Sequence, residues 1–191
     1  PYGIAYDNLK RWSFSKKQSD SARKGRGAEI EGDSKPFNPS FILETFSGDI
    51  EVFIWGFQYF PQHLGRGGII VWNRKLKEQE ECPWTDFELC WSKQERNLMA
   101  WFPWGGWQSK EPGEERLRIT QKPIALMEWF LKRWSKQGQI IADIFLGSGT
   151  VLIACENLGR KCRGMEIDPG YFATTLEQWH LKTGGKPELL N

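Results

Sequence analysis

The feature that most constrains the fold is a glycine-rich turn between an apolar run and a helical segment. The apolar run is Ile140-Ile141-Ala142, the turn reads Asp-Ile-Phe-Leu-Gly-Ser-Gly-Thr over residues 143–150, and residues 151–158 are helical in character. The next apolar run ends at Glu166. This order of strand, turn, helix, strand and carboxylate predicts a nucleotide-cofactor site in an open α/β sheet. Glycines admit a ligand close to the backbone, and a carboxylate can accept hydrogen bonds from a ribose diol.

The residue that heads the turn, Asp143, narrows the choice of cofactor. The pattern is neither a complete Gly-x-Gly-x-x-Gly fingerprint nor a P-loop with its lysine. An anion at the end of the first strand repels a pyrophosphate and attracts a cation. S-adenosylmethionine, which carries an amine and a sulfonium, therefore suits this charge better than NAD or ATP.

Composition excludes several other classes of protein. The chain has 191 residues, of which 26% are charged and 39% hydrophobic, as expected for one globular domain with a core. No apolar run reaches membrane length, and the first residues do not resemble a signal peptide. Four cysteines without a Cys-x-x-Cys pair and two distant histidines predict free thiols in a reducing cytoplasm and no metal site.

Basic residues concentrate in one segment although the net charge is only +2. They are Lys10, Arg11, Lys16, Lys17, Arg23, Lys24 and Arg26, with Trp12 and Phe14 among them. A solvated charge run is the ordinary interpretation. The sharper hypothesis is a loop that grips phosphates and offers aromatic rings for base stacking. A second aromatic segment, residues 101–107, predicts an irregular loop that lies either in the core or near a ligand.

The remaining periodicity predicts an α/β fold with a mostly parallel, twisted sheet, helices on both faces and an antiparallel hairpin at one edge. Helices are predicted at residues 40–46, 59–64, 123–134, 150–158 and 169–182. Strands are predicted at residues 50–55, 69–72, 87–92, 98–102, 140–145 and 161–167, with 87–92 and 98–102 forming the hairpin.

Together these motifs resemble the S-adenosylmethionine-dependent amino-methyltransferases of DNA, in the subgroup whose catalytic motif precedes the cofactor motif. Residues 143–150 match Asp-x-Phe-x-Gly-Ser-Gly-Thr, residues 120–123 match Thr-Gln-Lys-Pro, and Pro1-Tyr2-Gly3 matches the tail of Asp-Pro-Pro-Tyr-Gly. The pieces Gly159-Arg160 and Asp168-Pro169-Gly170-Tyr171 support the match. The resemblance implies one Rossmann-like methyltransferase domain over residues 1–191, with residues 73–119 as a variable, target-recognition region.

Two positions depart from the family pattern. The family often has His-Pro before Thr-Gln-Lys-Pro, whereas this chain has Arg118-Ile119. The chain also opens inside the catalytic motif, so the residue that distinguishes adenine-N6 from cytosine-N4 enzymes is not in the sequence. Adenine is favoured, but a cofactor- and DNA-binding module without turnover stays an alternative.

The resemblance assigns roles to individual residues. Pro1 shapes the catalytic turn and Tyr2 stacks on the target base. The cofactor residues are Lys122, Pro123, Asp143, Phe145, Gly147, Ser148, Gly149, Thr150, Glu166 and Asp168. Glu166 takes the ribose hydroxyls, and the methionine portion is surrounded by Asp143, Phe145, Gly147, Ser148 and Gly149. Three alternatives stay open: Asp168 as a helix cap, Lys122-Pro123 as a plain helix start, and Glu166 as a surface strand end.

The implied reaction is methyl transfer from S-adenosylmethionine to the exocyclic amine of a flipped DNA base. The implied enzyme is a cytoplasmic DNA methyltransferase of bacterial or phage origin, with site-specific or relaxed specificity, in restriction–modification, phage self-protection or regulation. Residues 7–35 are expected to form a mobile basic loop over the target, and a homodimer could share recognition. The enzymatic rivals are RNA and protein-glutamine methyltransferases, which usually carry the cofactor motif first.

Overall fold

The computed structural model describes residues 36–73, 87–101 and 121–189, which fall in two compact units. Residues 36–73 and 87–101 belong to the first unit, and residues 121–189 belong to the second. The predicted basic loop at residues 7–35 and most of the predicted target-recognition region at 73–119 lie outside the described residues. The single domain over residues 1–191 stays a prediction.

The first unit contains a short helix and a mixed sheet. Helix α1 spans Ser40–Thr45, and the strands are β1 (Phe53–Trp55), β2 (Gly68–Asn73), β3 (Phe87–Ser92) and β4 (Asn97–Trp101). The helix predicted at residues 59–64 is instead two 3-10 turns, Phe57–Tyr59 and Pro61–His63. The strand order is β1-β3-β2-β4, in which β3 is antiparallel to β1 and β2 while β4 is parallel to β2.

The predicted hairpin between residues 87–92 and 98–102 is wrong in its pairing. Both strands form, but β2 lies between them: Ile69 faces Trp91 of β3 on one side and Asn97 of β4 on the other. The segment that connects β3 to β4 crosses the start of β2. There the Ile69 N–H donates to the Arg96 carbonyl at 2.7 Å. A Cβ on Gly68 would collide with the Arg96 backbone, so the crossing requires glycine at this position.

The second unit is built on a parallel strand–helix–strand motif, which confirms the predicted α/β class. Strand β5 (Ile140–Asp143) pairs in parallel with β6 (Lys161–Gly164), and helix α3 (Thr150–Leu158) connects them. Helix α2 (Ile124–Trp134) precedes this motif and α4 (Pro169–Thr183) follows it. The bounds of α3 are as predicted, and the helix ends at Gly159, which has φ +66°.

Apolar faces hold the second unit together. Helix α2 contacts α3, and each contributes residues with less than a tenth of their surface exposed. These are Leu126, Met127, Phe130 and Leu131 of α2, and Ile153, Ala154 and Cys155 of α3. This packing and the contact of α3 with β6 fix the position of the glycine turn that precedes α3. None of the helices in the described ranges combines the length and apolar character needed to cross a bilayer.

Arg160 joins α2 to the start of β6. Its guanidinium donates to the Ser135 carbonyl at 2.9 Å, the Leu158 carbonyl at 2.7 Å and the Ser135 hydroxyl at 3.2 Å. Ser135 is the C-cap residue of α2 and Leu158 is the last residue of α3, so these bonds satisfy acceptors at two helix ends, where carbonyls lack intrahelical partners.

We expect Arg160→Ala to lower the free energy of unfolding by about 2–3 kcal/mol, since hydrogen bonds from charged donors are worth about 1.5–3 kcal/mol. Urea denaturation measures the loss. The control is Arg163→Ala, because Arg163 is exposed. Within the described residues, its guanidinium donates only to the carbonyl of the adjacent Cys162, at 3.3 Å. Its loss should stay within about 0.5 kcal/mol. Equal losses for the two variants would contradict the assigned role.

Candidate cofactor site

The glycine turn between β5 and α3 adopts backbone conformations that favour glycine. Gly147 has φ +57° and Gly149 has φ +77°, both in the left-handed region. Gly149 is the N-cap of α3 and brings no capping side chain. The chain leaves β5 at Asp143 but stays bonded to the next segment, because the Leu146 N–H donates to the Met165 carbonyl at 2.8 Å. The turn is therefore held against the end of β6.

Glu166 reaches the turn from the segment after β6. One carboxylate oxygen, Oε2, accepts the Gly147 N–H at 2.7 Å, and the other, Oε1, accepts the Asp168 N–H at 3.0 Å. Glu166 is therefore bonded to the turn, and its contact with a cofactor stays a prediction. An ionised carboxylate offers about four acceptor positions, so these two bonds do not exhaust its capacity for hydroxyl donors.

Asp143 stands at the end of β5, where its Oδ1 accepts the Phe145 N–H at 3.1 Å. Burial raises the pKa of its carboxyl above the ordinary value, because desolvation disfavours the charged form. The Phe145 N–H and the Lys122 ammonium oppose this pKa shift, and the Glu166 carboxylate reinforces it. The two carboxylates and the lysine therefore interact electrostatically, although three separate sequence segments supply them.

The raised pKa of Asp143 predicts how stability depends on pH. The folded chain binds this proton at a higher pH than the unfolded chain, so Asp143 lowers stability as pH rises from about the ordinary 3.8 through the raised pKa. We expect the ligand-free Asp143→Asn variant to be more stable than the wild type at pH 7. The difference should shrink as the pH falls towards 4, as urea denaturation across this range can measure. A variant less stable than the wild type at pH 7 would contradict this.

Helix α4 contacts the turn through Thr175, a residue that sequence reasoning missed. The Thr175 hydroxyl donates to the Gly147 carbonyl at 2.8 Å. A Cβ on Gly149 would lie 2.5 Å from the Thr175 methyl carbon, so the glycine lets the helix approach closely. A lone threonine inside an amphipathic helix carries no motif, and only the fold places it beside the turn.

Asp168 caps α4. Its Oδ1 accepts the Gly170 N–H at 2.7 Å and the Tyr171 N–H at 3.1 Å, which confirms the helix-cap alternative. Likewise, Pro123 is the N-cap residue of α2, as the plain helix-start alternative expects. Contact of Asp168, Lys122 or Pro123 with a cofactor stays a prediction.

The other predicted cofactor residues lie along the same turn. Phe145 is 45% exposed, whereas Thr150 is buried at the start of α3. The hydroxyls of Ser148 and Thr150 are 3.3 Å apart. The predicted catalytic residues Pro1 and Tyr2 lie outside the described residues. The same is true of the predicted DNA-binding residues Lys10, Arg11, Trp12, Lys16, Lys17, Arg23, Lys24 and Arg26.

Two thiols lie near Asp143. Cys155 and Cys162 are free, as predicted, and so is Cys90 in the first unit. A hydrogen bond between the Cys155 and Cys162 thiols raises the pKa of Cys155, with burial adding to it, and lowers the pKa of Cys162. Within the described ranges no group of three or more His, Cys, Asp or Glu side chains could hold a metal ion.

The sequence matches one family over most of its length. Residues 8–177 match the model of the N6/N4 methyltransferase family, described as DNA methylase. The chain is 39% identical over 59 residues to the type II methyltransferase M.HpaI of Haemophilus parainfluenzae, covering 31% of this chain and 19% of that protein. It is 48% identical over 44 residues to the type II methyltransferase M.MjaII of Methanocaldococcus jannaschii, covering 23% of this chain and 8% of that protein. The chain thus spans about a fifth or less of these relatives.

Solved structures that align with part of the chain include two complexes with S-adenosylmethionine. The M1.HpyAVI–SAM complex aligns with a TM-score of 0.47 and 22% identity, covering 68% of this chain and 74% of that chain. TTHA0409 of Thermus thermophilus, a putative DNA modification methylase complexed with S-adenosyl-L-methionine, aligns with a TM-score of 0.43 and 24% identity. That alignment covers 64% of this chain and 56% of that chain.

Proposed function

Because the chain belongs to the N6/N4 DNA methylase family, we propose that its glycine turn binds S-adenosylmethionine and that the protein methylates an exocyclic amine of a DNA base. Adenine N6 is the favoured acceptor over cytosine N4. The family match supports amino-methylation of DNA, the coarser part of this proposal. The preference for adenine rests on the resemblance to the family, because the residue that distinguishes the two acceptors is not in the sequence.

The observation that carries the proposal is the convergence of two carboxylates on the glycine turn. Glu166 accepts the Gly147 N–H at 2.7 Å, and Asp143 is close enough for Glu166 to raise its pKa. With Lys122 as the neighbouring cation, the three charges sum to about −1 when all are ionised. Such a site repels the phosphates of NAD or ATP and favours a cationic ligand.

The residues present fit S-adenosylmethionine. Asp143 is a partly desolvated carboxylate that a cation would stabilise in its charged form, and Glu166 keeps acceptor positions beyond its bonds to Gly147 and Asp168. The methionine portion would be surrounded by Asp143, Phe145, Gly147, Ser148 and Gly149, and Glu166 would accept the ribose hydroxyls. When bound, S-adenosylmethionine supplies a methyl group activated by the sulfonium.

The residues that we propose to bind the target base and the DNA lie outside the described ranges. An exocyclic amine is a poor nucleophile because its lone pair is delocalised into the ring, so the protein must position it. We assign stacking on the flipped base to Tyr2, shaping of the catalytic turn to Pro1, and phosphate contacts to the basic residues between Lys10 and Arg26. Relaxed specificity, a homodimer and a role in restriction–modification or phage self-protection belong to the same proposal.

Labelled methyl incorporation tests the proposal. The protein as encoded is incubated with methyl-labelled S-adenosylmethionine and unmethylated DNA, and the DNA is digested to nucleosides for mass spectrometry. N6-methyladenine as the main product supports the full proposal, whereas N4-methylcytosine supports only its coarser part. Label in RNA or protein but not in DNA, or cofactor binding without transfer, would overturn it. Labelling confined to one long recognition sequence would overturn relaxed specificity alone.

A further inference from the structure

Thr175 is buried beside the glycine turn and makes two distinct contacts with it. Its side chain is on α4 and only 1% of the residue surface is exposed. The hydroxyl donates to the Gly147 carbonyl at 2.8 Å, and the methyl group faces Gly149. A buried hydroxyl ordinarily needs a partner, and here that partner is the carbonyl at the centre of the proposed cofactor site.

Gly147 is therefore held on both sides. Its N–H is bonded to the Glu166 carboxylate at 2.7 Å, and its carbonyl is bonded to Thr175 at 2.8 Å. Glycine loses more conformational entropy on ordering than any other residue, so an unheld Gly147 at φ +57° would sample other conformations. A site that is formed only part of the time binds its ligand more weakly by that fraction.

We propose that Thr175 is a positioning residue that preorganises the cofactor turn, and this rests on the proposed binding of S-adenosylmethionine there. Its hydroxyl fixes the Gly147 carbonyl, and this keeps the Gly147 N–H aligned with Glu166. The ribose-binding carboxylate is thereby held in place from the opposite side of the turn. Thr175 itself touches no reacting atom, so its effect falls on cofactor binding and not on the chemical step.

Three variants separate the hydroxyl from the packing of the side chain. Thr175→Val keeps the shape and the methyl group but replaces the hydroxyl donor with a second methyl, whereas Thr175→Ser keeps the donor and removes the methyl. The matched control is Thr174→Val, because the neighbouring Thr174 hydroxyl donates at 2.8 Å to the Gly170 carbonyl of the same helix. Thermal unfolding establishes that each variant is folded at the assay temperature.

Calorimetry with S-adenosylmethionine gives the first readout. We expect Thr175→Val to raise the Kd about fivefold, the factor that corresponds to one ordinary hydrogen bond. The KM for the cofactor should rise in parallel while kcat changes by less than about twofold. Thr175→Ser and Thr174→Val should bind within about twofold of the wild type. Wild-type affinity in Thr175→Val, or equal weakening in Thr175→Ser, would overturn the assignment.

Hydrogen–deuterium exchange of the ligand-free protein gives a second readout that needs no cofactor. Thr175→Val should speed amide exchange over residues 144–149, and Thr175→Ser should leave it near the wild-type rate. Unchanged exchange in Thr175→Val would also overturn the assignment. A wild type that does not bind S-adenosylmethionine contradicts the proposed function, whereas normal binding by both wild type and Thr175→Val contradicts only the role of Thr175.

Discussion

Glu166→Ala should weaken the binding of S-adenosylmethionine by about 100-fold, the largest loss expected from a single side chain at this site. The proposed contacts are two hydrogen bonds from the ribose to a charged acceptor, each worth about 1.5–3 kcal/mol, and each 1.4 kcal/mol is a factor of about ten in Kd. The substitution also removes the acceptor of the Gly147 N–H. Calorimetric titration of the variant measures both the affinity and the enthalpy.

Two further variants sharpen this test. Glu166→Gln retains one carbonyl oxygen, so it can accept from Gly147 or from Asp168 but its amide must face the other N–H. Its affinity should lie between those of the wild type and Glu166→Ala. Glu177→Ala on α4 removes an exposed glutamate and should leave the affinity unchanged. A Glu166→Ala variant that binds within about threefold of the wild type would contradict the assignment of Glu166 to the ribose.

Gly149→Ala should destabilise the protein by about 3 kcal/mol and eliminate cofactor binding. An alanine at φ +77° carries a conformational cost of about 1–2 kcal/mol. Its Cβ would also lie 2.5 Å from the Thr175 methyl carbon, so either α4 or the turn must move. Because Thr175 holds the Gly147 carbonyl, a displaced α4 also releases the turn. Urea denaturation gives the loss of stability, and calorimetry gives the loss of binding.

Gly138 offers a matched control for this substitution. It has φ +80°, close to that of Gly149, but a Cβ there would meet nothing within 4 Å. Gly138→Ala should therefore cost only the conformational part, about 1 kcal/mol, and leave cofactor binding intact. Combining Gly149→Ala with Thr175→Ser removes the clashing methyl and should restore part of the stability. Equal losses for Gly138→Ala and Gly149→Ala would show that the close contact with α4 has no energetic weight.

The elements of the second unit were predicted closely from the sequence, because short local motifs mark where they begin and end. The bounds of α3 are set by a glycine at each end, and the bounds of α4 by Asp168-Pro169 at its start. Its parallel strands ended earlier than predicted, at Asp143 and Gly164, because the chain turns to form the site. The sequence also predicted a negative charge at the end of β5, because Asp143 interrupts an apolar run there.

The pairing in the first unit could not be predicted because the pattern that marks a hairpin is the same when a third strand separates its arms. The one trace in the sequence of the β3–β4 connection crossing β2 is Gly68, because a side chain there would collide with Arg96. The contact of Thr175 with the turn and the hydrogen bonds of Glu166 could not be predicted for a similar reason. Both depend on contacts with Gly147 made by residues distant in sequence, and neither spacing nor composition records such contacts.

The most direct test of the central claim is a crystal structure of the protein as encoded with S-adenosylmethionine bound. We predict that the cofactor occupies the turn at residues 143–149. Its ribose hydroxyls should donate to the Glu166 carboxylate, and its positively charged methionine end should lie near Asp143. We also predict that the Thr175 hydroxyl keeps its bond to the Gly147 carbonyl. A cofactor bound elsewhere, or one whose ribose does not contact Glu166, would contradict the account.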